Sequence, residues 1–431
     1  MKKRVLMVLT RDIPATPTNG RERTLSFIRD ALRADAKVTE FKIRSVFETG
    51  SLLVKLGAAF RLAEGLLRGV PCALQVAMFS NALRRRTLLD TIRALKPDLV
   101  YVDGVRLVDY VVLIRENVPG CRVIVDFDDL MSRRATILRE AALPVSPGYL
   151  DKSIPKPFVK IVNSKLVRSV VLRYEALALR RHESKAVDCA NAVTLVSLAD
   201  AATLTQSLKD AARKKVHVIA PPMDRVKPLM RPSSPLRFVF IGSDSQLQNR
   251  LAIEYLVALW RRLAIPIPLV IFGKMSGPYE SVSNVVFAGF AKSLDDVYTQ
   301  GSIALCPTFL RGGIKSKVIE AISYGCVPVG NPAAYEGLGF SDDALAMKDA
   351  RLEQFVIDPL SSMNLVLEAA VRFAAYCDRN YRTPVFRRRW REVLAPAPRI
   401  ARPETARARE LLPKPELVEE GIFVHSQDRR L

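Results

Sequence analysis

The chain has 431 residues, 49% hydrophobic and 26% charged, the make-up of a well-cored globular protein with room for two domains. That excludes a disordered chain, a collagen-like repeat and a small disulfide scaffold. Sixty-six Lys and Arg against 44 Asp and Glu leave a formal charge of +22, which favours an acidic partner (nucleic acid, an anionic membrane face or a phosphate-bearing substrate) without choosing among them.

The chain opens MKKRVLMVLTRDIP. Its apolar run, 5–10, is too short for a signal peptide and is cut by Arg11 and Asp12, so it reads as a first buried strand. No uninterrupted apolar run reaches about 18 residues, and no transmembrane helix is expected. Cys72, Cys121, Cys189, Cys306, Cys326 and Cys377 are scattered without a CxxC pair and are expected to be reduced thiols of a cytoplasmic protein. His182, His217 and His425 are far apart, so no metal site is expected.

In chain order, expected strands at 4–9, 36–44, 99–102, 122–126 and 192–197 alternate with helical patterns at 21–34, 82–95 and 165–190. A Pro- and Ser-rich stretch at 217–237 reads as a connection. The alternation then restarts, with strands at 238–241, 268–272, 285–288, 303–306 and 327–330 and helices at 249–264, 294–298, 315–324 and 360–376. Short apolar strands alternating with helices predict an α/β fold: two doubly wound Rossmann-like domains facing a cleft, over 1–215 and 238–380, joined by a linker at 216–237. A C-terminal helix at 381–395 and a disordered, basic tail at 396–431 complete the expectation. A ligand is expected in the cleft, at the carboxyl ends of the strands.

The strongest local signal is PTFLRGGIKSKVIEAISYGCVPVG, residues 307–330. Gly312 and Gly313 are expected to open a helix, Tyr324 and Gly325 to close it, and a strand to follow. Glycines at a helix N-terminus leave backbone N–H groups free to hold a phosphate, and the helix dipole adds to this. Lys315 and Lys317 work against that dipole, and a bound diphosphate supplies a reason for them. Glu320, three residues after Lys317, shares its face and can accept hydrogen bonds from ribose hydroxyls. The same residues can also be turn chemistry and a solvated surface pair.

This segment resembles the donor-binding signature of the B-type-fold glycosyltransferases of family 4, the glycosyl transferases group 1 family. There a glycine-containing loop precedes K-x-L-E-A, a small residue, glycine and a P-V-V strand. Other pieces match in order: Gly20 in PTNGRERT, VIVDFDDLMSRR at 123–134, NAVTLVSLADAATL at 191–204, VIAPPMD, FIGSDSQLQN, FGK and NVVFAGF. The resemblance runs over roughly residues 1–395.

It implies retaining, metal-independent transfer from a UDP- or GDP-linked sugar, a co-substrate with no further cofactor, to a saccharide or polyprenyl-linked acceptor in polysaccharide or glycolipid biosynthesis. A positive diphosphate site would then neutralise the leaving group. By resemblance Gly312, Gly313, Ile314, Lys315 and Lys317 fall in the diphosphate region, and Glu320 at the ribose. Gly20 would let the N-terminal loop approach donor and acceptor, with Ser243 and Lys274 as further donor contacts. There are departures. The first glutamate of the family's spaced pair falls at Gly312, so sugar specificity does not carry over. The family's histidine falls at Asp128, before Asp129; these two are the candidate catalytic residues, as sugar contacts or acid–base groups. Asp126, Asp128 and Asp129 can equally cap the next helix. Ser243-Asp244-Ser245 stands where the family has an arginine, which Arg250 or Arg311 could replace in space. The departures keep open a non-catalytic nucleotide-sugar-binding or scaffold protein; a nucleotide-sugar epimerase of the same fold is a further alternative, although that reaction usually wants additional acidic and histidine groups and histidine is scarce here.

Between residues 49 and 97 eight Lys or Arg face only Glu64 and Asp90. In SLLVKLGAAFRLAEGLLRG, residues 51–69, Arg61, Glu64 and Arg68 form one helical stripe, with Leu, Val, Ala and Phe on a broad opposite face. Such a basic amphipathic helix suits peripheral contact with an anionic membrane at its inner face. The alternative is a helix packed on its own domain with a charged outer face. Aromatics are 7%, and no nucleic-acid module accompanies the basic runs at 84–86 and 387–391, so no nucleic-acid partner is expected.

Overall fold

The computed structural model describes residues 2–17, 19–48, 52–144, 160–161 and 163–395; the expected tail at 396–431 lies outside them. Among these residues eleven strands form two parallel sheets. The first contains β1 (Lys3–Leu9), β2 (Ala36–Lys42), β3 (Leu99–Asp103), β4 (Arg122–Asp128), β5 (Ala192–Leu195) and β6 (Val216–Val218), ordered β2-β1-β3-β4-β5-β6. The second contains β7 (Arg237–Ile241), β8 (Leu269–Phe272), β9 (Val285–Gly289), β10 (Ser302–Leu305) and β11 (Val327–Val329), ordered β11-β10-β7-β8-β9. β3, β5 and β10 are buried at every position, as expected of strands covered on both faces by crossover helices. The strand order reverses between β1 and β3 and between β7 and β10, and such reversals open the crevices where ligands bind in these sheets.

Each sheet has its own core. Leu6, Val8, Val100, Val123 and Val193 pack with Leu179 and Val187 in the first. Phe238, Leu269, Ile303 and Val327 pack with Trp260, Val318 and Phe373 in the second. The last described helix, Thr383–Leu394, returns to the first core: Trp390 lies 6.0 Å from the Tyr101 ring, Phe386 lies 6.3 Å from Phe27, and Arg122 donates to the Val393 carbonyl.

Two local expectations are corrected. Residues 216–218, placed in the linker, form edge strand β6 on β5; the strand-breaking Pro221 and Pro222 come only afterwards. The helix of the 307–330 motif begins at Ser316, not at the glycines. Gly312 and Gly313 instead shape the loop before it, at φ +87° and +61°. The true connection packs beneath this helix: the Val226 and Lys227 N–H groups donate to the Ser323 carbonyl at 2.8 and 3.0 Å. Gly325, at φ +77°, allows the Pro228 carbonyl an approach that any Cβ would block.

Candidate active site

β3 and β4 carry Asp103 and Asp126 to the carboxyl edge of the first sheet. The pairing of β4 with β5 slips between Asp126 and Asp128, and Asp128 adopts φ +62°. Arg21, in the first turn of the helix Gly20–Asp35, enters this edge. Its guanidinium pairs with Asp103 at 2.5 Å, Asp126 at 2.9 Å and Asp128 at 3.1 Å. The Tyr101 and Thr194 hydroxyls donate to Asp126 at 2.7 and 2.8 Å, and the Thr10 hydroxyl donates to Asp103 at 2.6 Å. Burial opposes the charge on Arg21, but Asp126, Asp128 and Asp103 more than offset it and hold the guanidinium charged. Burial raises Asp103, but Arg21, Arg11 and the hydrogen bonds from Thr10 and Arg21 together more than reverse that, keeping it well below the usual carboxylate range. Asp128 differs: burial first, with Asp129 and Asp126, pushes its carboxyl up to about 7 against the pull of Arg21. Its side chain is also the most open of the three carboxylates, 31% exposed against 4% and 3%. A strained carboxyl poised near neutrality is suited to exchanging a proton or gripping a hydroxyl.

The helix-cap alternative for these aspartates fails. The helix Met131–Glu140 has no side-chain cap at its start. Its first N–H groups are met from distant residues, Leu130 by Asp200 at 3.4 Å and Ser132 by Glu183 at 2.9 Å.

On the second sheet, the loop after β10 carries Gly312, Gly313 and Ile314 into the helix Ser316–Ser323. Ile314 is half-buried against the second core. Lys315 occupies the N-cap position, buried, and donates to the Gly312 carbonyl at 2.6 Å. Lys317 donates to Asn249 Oδ1 at 2.5 Å, with its ammonium 4.4 Å from the centre of the Phe240 ring. A Cβ on Gly242, at the end of β7, would collide with that ammonium. Burial lowers both lysines to about 8. Among the described residues neither ammonium forms an ion pair. Two buried cations without an ionic partner, beside the N-terminus of a helix, make a site suited to a polyanion. Glu320, 8% exposed, accepts from the Tyr298 hydroxyl at 3.3 Å. Ser243 donates to the Lys274 carbonyl at 2.9 Å, so these two mark the ends of β7 and β8. Lys274 is exposed and lines a cavity of about 480 Å³ with Met275, Phe287 and Phe290.

The two halves meet at these residues. Arg23 donates to Glu320 at 3.2 Å. The Gly313 N–H donates to the buried Asp200 carboxylate at 2.9 Å, and Arg133 joins Asp200 to Glu336 at 2.6 and 2.5 Å. Arg311 is exposed and spends its guanidinium on Glu336 at 3.1 Å. Asp129 lies against Gly313, where any Cβ would collide with its carboxylate. Nothing lies within 4 Å of the Cβ position of Gly20. Arg21, Arg23, Arg133 and Asp200 escaped the sequence reading; the one available signal was the pair of arginines flanking Glu22 directly after Gly20.

Residues 235–354, which span the Gly312–Glu320 region, match a family model described as Glycosyl transferases group 1. The chain carries a group 1 glycosyltransferase domain. Its fold is that of the B-type glycosyltransferases. Sucrose-phosphate synthase from Thermosynechococcus elongatus superposes with a TM-score of 0.60 at 12% identity, covering 91% of this chain and 98% of that one. The apo form of the lipopolysaccharide outer core galactosyltransferase WaaB gives 0.53 at 12% identity, with 91% and 99% covered. A UDP-forming trehalose-phosphate synthase from Burkholderia xenovorans gives 0.52 at 9%, again with 91% and 99% covered. At such identities the likeness is one of fold. No curated protein matches the chain. No helix among the described residues of this glycosyltransferase is long and apolar enough to cross a membrane.

Proposed function

We propose that the chain is a retaining, metal-independent glycosyltransferase. It moves a sugar from a UDP- or GDP-linked donor to a saccharide or polyprenyl-linked acceptor, at the inner face of a membrane, in polysaccharide or glycolipid biosynthesis. The observation that carries this reading is the pair of buried lysines, Lys315 and Lys317, beside the Gly312–Gly313 loop. When the sugar–phosphate bond breaks, negative charge grows on the departing diphosphate. Fixed cations and loop N–H groups in a poorly hydrated site stabilise that charge without rearranging. Glu320 lies one turn further along the same helix and would accept from the ribose hydroxyls. Asp128 faces the cleft from the first sheet, ready to hold or deprotonate a hydroxyl of the acceptor or the transferred sugar. The retaining outcome rests on the group 1 likeness.

The test is a thermal-shift screen against UDP, GDP, ADP and their sugars, run on the wild type and on Glu320→Ala. One nucleotide should raise stability by about 3 kcal/mol at a hundredfold excess over its Kd, and Glu320→Ala should lose that rise. No response to any nucleotide would overturn the reading in favour of a scaffold protein. Transfer with the donor so identified, in the presence of a chelator, then checks metal independence and anomeric outcome.

A further inference from the structure

The helix Leu52–Leu67 is apolar on two sides. It packs inward through Ala58, Leu62 and Gly65; beside them Arg61 pairs with Asp109 at 3.3 Å, and the half-buried Glu64 is held by Arg61 and the exposed Arg68 at 3.7 and 3.0 Å. A second apolar side faces outward. Leu53, Phe60 and Leu67 are 80%, 70% and 89% exposed, and Leu52, Leu56 and Leu66 are also open. Isolated exposed leucines are ordinary, but a contiguous apolar helix face marks an interaction site.

A second helix continues it. Arg181 of the helix Lys165–Cys189 donates to the Gly69 carbonyl just beyond the first helix. This second helix has six cations and three acids. Two of the acids point inward, Glu175 to the N–H groups of Leu74 and Gln75 and Glu183 to that of Ser132. What faces outward along Leu166, Val170, Arg173, Leu177, Arg180 and Arg181 is apolar and cationic; the third acid, Asp188, is exposed at the C-terminal end of the helix.

We infer that the outward faces of these two helices form the surface on which this protein lies on an anionic lipid bilayer. The charge pattern selects the occupant. Apolar side chains reach the acyl boundary while Lys55, Arg173 and Arg180 sit at the level of anionic headgroups; Glu175 and Glu183 are buried, Glu64 is held by Arg61 and Arg68, and the exposed Asp188 is outnumbered by the exposed cations of the same helix. A second copy of a chain with a net charge of +22 would bring like charges together on this face. The inference deepens the proposed use of a membrane-borne acceptor and rests on that reading for its purpose, but not for its test.

The full chain is floated with vesicles of phosphatidylcholine alone and of phosphatidylcholine with phosphatidylglycerol, without nucleotide. The wild type should float with the anionic vesicles and fall at least about tenfold on neutral ones or in high salt. Leu53→Glu with Phe60→Glu, both at open positions, should lose binding about tenfold or more, as should Arg173→Glu with Arg180→Glu. The nucleotide thermal shift of each variant, unchanged, shows that its fold is intact. Wild type that ignores anionic vesicles, or variants that float as well as wild type, would overturn the inference. So would a dimer in sedimentation that Leu53→Glu with Phe60→Glu disperses, since the face would then belong to a second copy. Failure here with a preserved nucleotide shift removes the docking surface and leaves the donor reading standing.

Discussion

Arg23 and Glu320 meet across the cleft, guanidinium to carboxylate, at 3.2 Å, although 297 residues separate them. Glu320 is the position expected to take the ribose hydroxyls, so Arg23 and a nucleotide address the same carboxylate. Charge-assisted hydrogen bonds of this kind contribute about 1.5–3 kcal/mol. Glu320→Ala should therefore weaken nucleotide binding about tenfold or more in calorimetry. Arg23 is 47% exposed, and such a pair adds less than about 1 kcal/mol to stability. Arg23→Ala should leave the Tm nearly unchanged and affinity within about threefold. An equal loss in the two variants would make Arg23 a donor ligand itself.

Lys317 gives a prediction in which stability and binding move apart. Burial holds its ammonium near 8, well below its ordinary value of 10.5. The folded chain thus carries a charge it disfavours at pH 7. Between pH 8 and 10.5 the unfolded chain binds a proton that the folded one has released, so this group's contribution to stability improves as pH rises. Lys317→Met keeps the bulk and removes the charge. Its Tm at pH 7 should equal or exceed that of the wild type, while nucleotide-diphosphate affinity falls about tenfold or more. Affinity of the wild type should also decline as pH rises through 8. A variant that loses Tm and binds nucleotide normally would make Lys317 a structural residue.

The alternation of strands and helices was legible because each short strand is apolar throughout and each helix keeps its period. The Gly312–Glu320 segment was legible because its glycines, lysines and glutamate are contiguous. What sequence could not show is pairing at a distance. The Gly313 N–H is met by Asp200, 113 residues away, and the start of Met131–Glu140 by Glu183 rather than by a local aspartate. Arg21 looks like an ordinary helix arginine until β3 and β4 set three aspartates around it. The periodicity of Leu52–Leu67 defined a charged stripe and a broad apolar face, but not that Ala58, Leu62 and Gly65 would pack inward beside an Arg61–Asp109 pair and leave Leu53, Phe60 and Leu67 open.

Two glycines separate backbone demand from ligand access. Gly313 combines φ +61° with a Cβ position that collides with Asp129. Gly313→Ala should cost about 1–3 kcal/mol of stability and at least tenfold in transfer rate. Gly20 starts a helix with open space around it. Gly20→Ala should leave stability unchanged or raise it by up to about 1 kcal/mol. If the space over Gly20 receives substrate, this more stable variant nonetheless loses transfer activity. Full activity in Gly20→Ala would remove that glycine from the site.

Asp128 should set the pH dependence. Its carboxyl is raised from 3.8 to about 7, chiefly by burial. Between those values the folded chain holds a proton that the unfolded chain has released, so stability falls as pH rises from about 4 to 7 and then levels. Asp128→Asn removes the titration and tolerates the φ of +62° that alanine would not. The asparagine variant should match wild type below about pH 4, where both states of the wild type hold the proton, and exceed it in Tm by a margin that grows up to pH 7 and then levels. Transfer should show the reverse. If ionised Asp128 takes the proton from the acceptor hydroxyl, the wild-type rate climbs through pH 7, and Asp128→Asn loses both that inflection and about a hundredfold in rate. An inflection that survives in the asparagine variant would move the acid–base role to another group and leave Asp128 with the task of orienting Arg21.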